Sequence, residues 1–159
     1  MSAVPVPPAH LALFPASVRN ILVIANRLQD TRRIAGRLAR MHRDEAVRIY
    51  LLAVVTAPTG HAMAFLRGID VRRILREDGL VLLGPLRTEL DAAGVPYQHE
   101  VEVGRWEETI ASFARARGCR SIVIGDGETR RLAAHWLLRH DAWRVRTKLV
   151  RAGFACETI

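Results

Sequence analysis

Residues 21–25 read Ile21-Leu22-Val23-Ile24-Ala25, an apolar run with no polar interruption, closed by Asn26. A strand with one wet face alternates apolar and polar residues, so an unbroken run describes a strand buried on both faces of a parallel sheet. A parallel neighbour needs a crossover, and the next residues supply one. Asp30 or Thr31 can cap a helix in which Ile34, Leu38 and Met41, with Ala35 and Ala39, share one face. Arg32, Arg33, Arg37, Arg40 and Arg43 take the opposite face. The run Val47–Val55 then predicts the second strand.

The same alternation continues outward. A loop with Pro58, Gly60 and Gly68 leads to a helical region over about 70–93, which Gly79 and Gly84-Pro85 are expected to kink or break. Gly94 marks a helix stop, and Tyr97–Val103 alternates as a strand. Trp106, Ile110, Phe113 and Ala114 mark a helix that ends at Gly118, before the strand Ser121–Ile124. A last helix over about 129–140 carries Leu132, Trp136 and His140, and the alternation of residues 144–150 predicts a closing strand. Pro5, Pro7, Pro8 and Pro15 make residues 1–18 an extended tail, leaving a single domain over 19–150 and an extension over 151–159. Five strands alternating with four helices imply an α/β fold, a doubly wound parallel sheet with right-handed crossovers and helices on both faces.

Composition agrees with a globular chain: of 159 residues half are hydrophobic and 25% charged. A chain of this length buries roughly 70% of its unfolded surface and needs no disulfide or metal staple. Cys119 and Cys156 are too few for a disulfide framework, and no apolar run approaches the roughly 18 residues that span a bilayer. The N-terminus does not read as a secretory signal, so a cytoplasmic protein is expected. The formal charge is +8, and all but Lys148 of the 24 basic residues are arginines. Guanidinium groups bind phosphate, but the same bias follows from a GC-rich genome. No aromatic residue interleaves with the arginines of the first helix, and no helix-turn-helix or finger spacing occurs, so nucleic acid is not the expected partner.

The chain resembles the universal stress protein family in three blocks: the strand ending at Asn26, the Leu51-Leu52-Ala53-Val54-Val55 run, and Gly94-Val95 through Gly104, Ile110 and Gly118 to Ile124-Gly125. The resemblance covers about residues 19–150. It implies strand order 3-2-1-4-5, the adenine nucleotide alpha hydrolase-like sheet, with a crevice beyond strands one and four where the order reverses. It implies nucleotide-site positions at Ala25, Asn26, Val54, Gly125 and Gly127, with Arg130 and Arg131 as candidate phosphate contacts. It also implies a homodimer paired through the last edge strand.

The family's ATP binders carry Gly-x2-Gly-x9-Gly-Ser/Thr after strand four, where glycines admit the phosphates and a helix N-terminus faces them. Here Gly125 fills the first position, Glu128 replaces the second glycine, Leu138-Arg139 replaces Gly-Ser, and the segment is shortened. Asp126 and Glu128 bring carboxylates to the place of the triphosphate, and Asn26 replaces an aspartate. The expectation is therefore a non-enzymatic stress-response or signalling module with a degenerate nucleotide site and no obligatory cofactor. Weak ATP or AMP binding, a slow ATPase with a rearranged loop and non-specific nucleic-acid binding are its alternatives.

The six histidines form no metal-binding spacing, and His42 reads as a helix-edge packing residue. Cys119 reads as a small buried hydrophobe. None of the four serines lies in a nucleophile elbow. The basic row Arg144, Arg146 and Lys148, taken as an edge strand, would repel its dimer copy and shift the interface toward Trp136, Trp143 or Phe154.

Overall fold

A computed structural model describes residues 18–25, 30–57, 68–125 and 136–158. In chain order the elements are β1 (Arg19–Ile24), α1 (Thr31–Asp44), β2 (Val47–Val55), α2 (Gly68–Ala92), β3 (Tyr97–Val103), α3 (Trp106–Ala116), β4 (Ser121–Ile124), α4 (Trp136–Arg151) and β5 (Ala155–Thr158). All pairings are parallel, and the sheet order is β3-β2-β1-β4-β5.

The apolar run of β1 occupies the centre of the sheet, as its composition requires. Ile21, Val23 and Ala25 pack with Ile34, Leu38, Leu83, Leu86 and Leu90 of α1 and α2. Leu22 and Ile24, pointing the other way, pack with Ile110 and Phe113 of α3 and Val145 and Leu149 of α4. Both faces are thus covered, and full burial of each such side chain contributes about 1.5–3 kcal/mol.

Local chemistry sets the helix ends. Asp30 is the N-cap of α1, its carboxylate accepting from the Arg33 N–H at 3.0 Å. Gly94 and Gly118 adopt φ 64° and 63° and stop α2 and α3, with Val95 N–H donating to Leu90 and Cys119 N–H to Ala114.

Two sequence expectations are corrected. The closing strand is not residues 144–150. They belong to α4, and the fifth strand is Ala155–Thr158, within the stretch read as an extension beyond the domain. Val145 and Leu149 are spaced i, i+4, which satisfies both a strand period of two and a helical face, so the alternation was ambiguous. Helix α2 also runs unbroken through Pro85. Proline removes the N–H that would bond the carbonyl four residues earlier; that residue, Val81, lies on an exposed face of the helix, 69% exposed.

Candidate functional site at the carboxyl ends of β1, β2 and β4

A doubly wound sheet opens a crevice where its strand order reverses, here between β1 and β4. Register partners Ile24 and Ile124 end these two strands at the same level, which sets Ala25 and Gly125 side by side at the rim. Both are buried. Ala25 N–H donates to the Leu52 carbonyl at 2.9 Å, and Val54, 5% exposed, lies just beyond on β2. The fold therefore brings together Ala25, Val54 and Gly125, three of the positions named from sequence. Asn26, Gly127, Arg130 and Arg131 lie outside the described residues, as do Asp126 and Glu128.

The walls formed by the described residues are aliphatic: Ile24, Ala25, Val54 and Ile124 are all at most 5% exposed. Their polar groups at the rim are backbone amides. The Trp106 indole N–H donates to the Val54 carbonyl at 3.3 Å. Sequence reasoning missed this residue. Trp106 fits the helical spacing with Ile110 and Phe113, and that pattern absorbed it as core.

Other candidate groups are structural. Cys119 is buried, as expected; burial pushes its thiol up to about 11, with Arg117 acting against the shift. Burial likewise raises Cys156, opposed by Arg146. His42 is exposed in the last turn of α1 and does not pack at the helix edge as expected from sequence. Among the described residues no group of His, Cys, Asp and Glu could hold a metal ion. Among these residues, too, no helix is long and apolar enough to cross a membrane.

The arginines are partly committed within the fold. On α1, Arg32 pairs with Glu89 at 3.3 Å and Arg37 pairs with Glu157. Arg19 donates to Ser121 Oγ at 2.9 Å and meets Glu45 at 3.2 Å. Arg117 pairs with Glu100 and lies 5.5 Å from the ring centroids of Tyr50 and Phe113. A groove of about 610 Å³ between α2 and β3, lined by Arg72, Arg73, Arg76 and residues 101–103, is separate from the crevice.

A doubly wound five-stranded parallel sheet, with a backbone-lined crevice at its switch point, defines the class of protein. Within it, the sequence profile of the universal stress protein family matches residues 17–146, and the chain belongs to that family. No curated protein sequence matches the chain. Solved structures of the same fold include a universal stress protein family member from Burkholderia pseudomallei, 19% identical, with a TM-score of 0.60 over 88% of this chain and 94% of that one. A universal stress protein from Lactobacillus plantarum is 18% identical, with a TM-score of 0.58 over 89% and 95% of the two chains. One from Arabidopsis thaliana, solved with AMP bound, is 17% identical, with a TM-score of 0.53 over 89% and 90%.

Proposed function

We propose that this universal stress protein family member is a non-enzymatic stress-response or signalling module, homodimeric, with a degenerate nucleotide site. The observation that carries the reading is the make-up of the crevice. Its described walls are aliphatic and its rim offers backbone groups, which can position a flat ligand but supply no nucleophile or general base. The sequence beyond Gly125 adds Glu128 where a phosphate-cradling glycine would serve, and the carboxylates of Asp126 and Glu128 oppose a triphosphate. The pairing of Arg37 with Glu157 favours a structural role for that arginine over a nucleic-acid surface.

The AMP held by the Arabidopsis protein makes AMP the natural small ligand to test alongside ATP and ADP. A ligand present at 100 times its Kd stabilises a fold by about 2.7 kcal/mol, which thermal unfolding resolves easily. Each nucleotide at 1 mM (~100 times a Kd of about 10 μM) is expected to leave Tm unchanged, with or without magnesium. Phosphate release from ATP is expected to stay at the uncatalysed level. A Tm rise of several degrees, or turnover that follows protein concentration, contradicts the proposal.

A further inference from the structure

Strand pairing fixes where the Val54 carbonyl points. Gly104 N–H donates to the Val55 carbonyl, so Val55 faces β3. Ala25 N–H donates to the Leu52 carbonyl, so Leu52 faces β1, and the two-residue period turns Val54 the same way. The last register partner of β1 on β2 is Leu52. The Val54 carbonyl therefore lies past the end of β1, directed into the crevice. An acceptor in an aliphatic slot is a seat for a flat heterocycle that donates an amino N–H. The half-buried indole of Trp106, at the first residue of α3 and packed on the core of Ile110 and Phe113, brings its own flat ring and its own N–H to that acceptor.

We infer that Trp106 is a built-in occupant of this seat and decides whether the crevice accepts an amino-bearing heterocycle. This rests on the crevice reading above and deepens it by naming the residue that closes its base-binding end. A ligand that takes the Val54 carbonyl must displace the indole, a handicap of roughly tenfold in affinity, the order of one neutral hydrogen bond.

The test compares adenosine with purine riboside, which has a hydrogen in place of the amino group and no N–H on its base; neither carries a phosphate, so the loop after Gly125 does not enter. Equilibrium dialysis is run on the full chain, on Trp106→Ala and on Trp106→Phe, with folding checked by circular dichroism. Trp106→Ala is expected to raise adenosine affinity about tenfold and leave purine riboside unchanged. Trp106→Phe, which keeps ring packing but has no N–H, is expected to show a smaller gain of the same kind. Equal adenosine affinity in the three proteins, or an equal gain for purine riboside, overturns the inference. Should the alanine variant not fold, the phenylalanine variant and the hydrogen exchange of the wild-type Trp106 indole N–H decide: slow exchange is expected and unprotected exchange overturns it. Micromolar ATP binding by the wild type would sink the degenerate-site reading, whereas variants that gain nothing sink the Trp106 role alone.

Discussion

Gly79 and Gly36 are both helix-interior glycines, yet their surroundings give them opposite consequences. A Cβ at Gly79 would overlap the γ-carbons of Val101, a stiff β-branched residue on β3, so the missing side chain is what lets α2 lie close against the sheet. A Cβ at Gly36 meets nothing within 4 Å. Gly79→Ala is expected to destabilise by about 1–3 kcal/mol because overpacking outweighs the better helix propensity. Gly36→Ala is expected to stabilise by about 0.5–1 kcal/mol, and urea unfolding of both variants checks the contrast. Cys119 gives a pH prediction. Burial raises its folded pKa from 9.0 to about 11, so the unfolded chain loses this proton first as pH rises. Its contribution to stability is full below pH 9 and is lost as pH rises toward 11. Cys119→Ala is expected to flatten that part of the stability–pH profile; an unchanged slope contradicts the assignment. At this scale the site was only half legible. Ala25, Val54 and Gly125 were named through the family resemblance and lie at strand ends, but the Trp106 indole N–H donates to a backbone oxygen, and apolar periodicity carries no sign of such a contact.

Among the elements, the central strands were legible because continuous apolar runs have few alternatives. The end of the chain was not, because residues 144–150 fit two periods at once. A signal for the correct reading was nonetheless present. Gly94-Val95 and Gly118-Cys119 end α2 and α3, each with glycine at positive φ and an apolar residue after it that packs on the core, and Gly153 with the partly buried Phe154 repeats the pattern after α4. Phe154 N–H donates to the Leu149 carbonyl as Val95 does to Leu90. Reading Gly153 as a third helix stop places β5 at Ala155. It also removes the basic edge strand: Arg144, Arg146 and Lys148 lie on α4 and cannot guard a sheet edge. Phe154, suggested as an interface residue, packs against the α3–α4 core with Arg115 over its ring at 5.7 Å. Gly153, at φ 90°, is in a conformation that other residues rarely adopt, so Gly153→Ala is expected to cost roughly 1–3 kcal/mol. The loss should appear as faster hydrogen exchange in β5 amides before those of β1; uniform acceleration would speak against a local role for this turn.

For the whole molecule, the alternation of strands and helices followed from the sequence because it repeats one unit, an apolar strand feeding an amphipathic helix, whereas the strand order came from the family resemblance. The +8 charge was the least informative global property, since arginines such as Arg19, Arg37 and Arg117 are engaged in ion pairs and ring contacts inside the domain. Such half-exposed pairs contribute about 0–1 kcal/mol each, so their arrangement bears on geometry more than on stability. DNA retention at low salt is expected to be no greater than for other proteins of equal charge; a steep log–log salt dependence with many released ions would restore a nucleic-acid role. The reading proposed for the crevice is that its backbone frame persists while the phosphate-binding sequence is degenerate. Calorimetric titration of the wild-type chain with magnesium–ATP addresses it most directly. No saturable heat is expected in the micromolar range, and a stoichiometric micromolar isotherm would contradict a degenerate site.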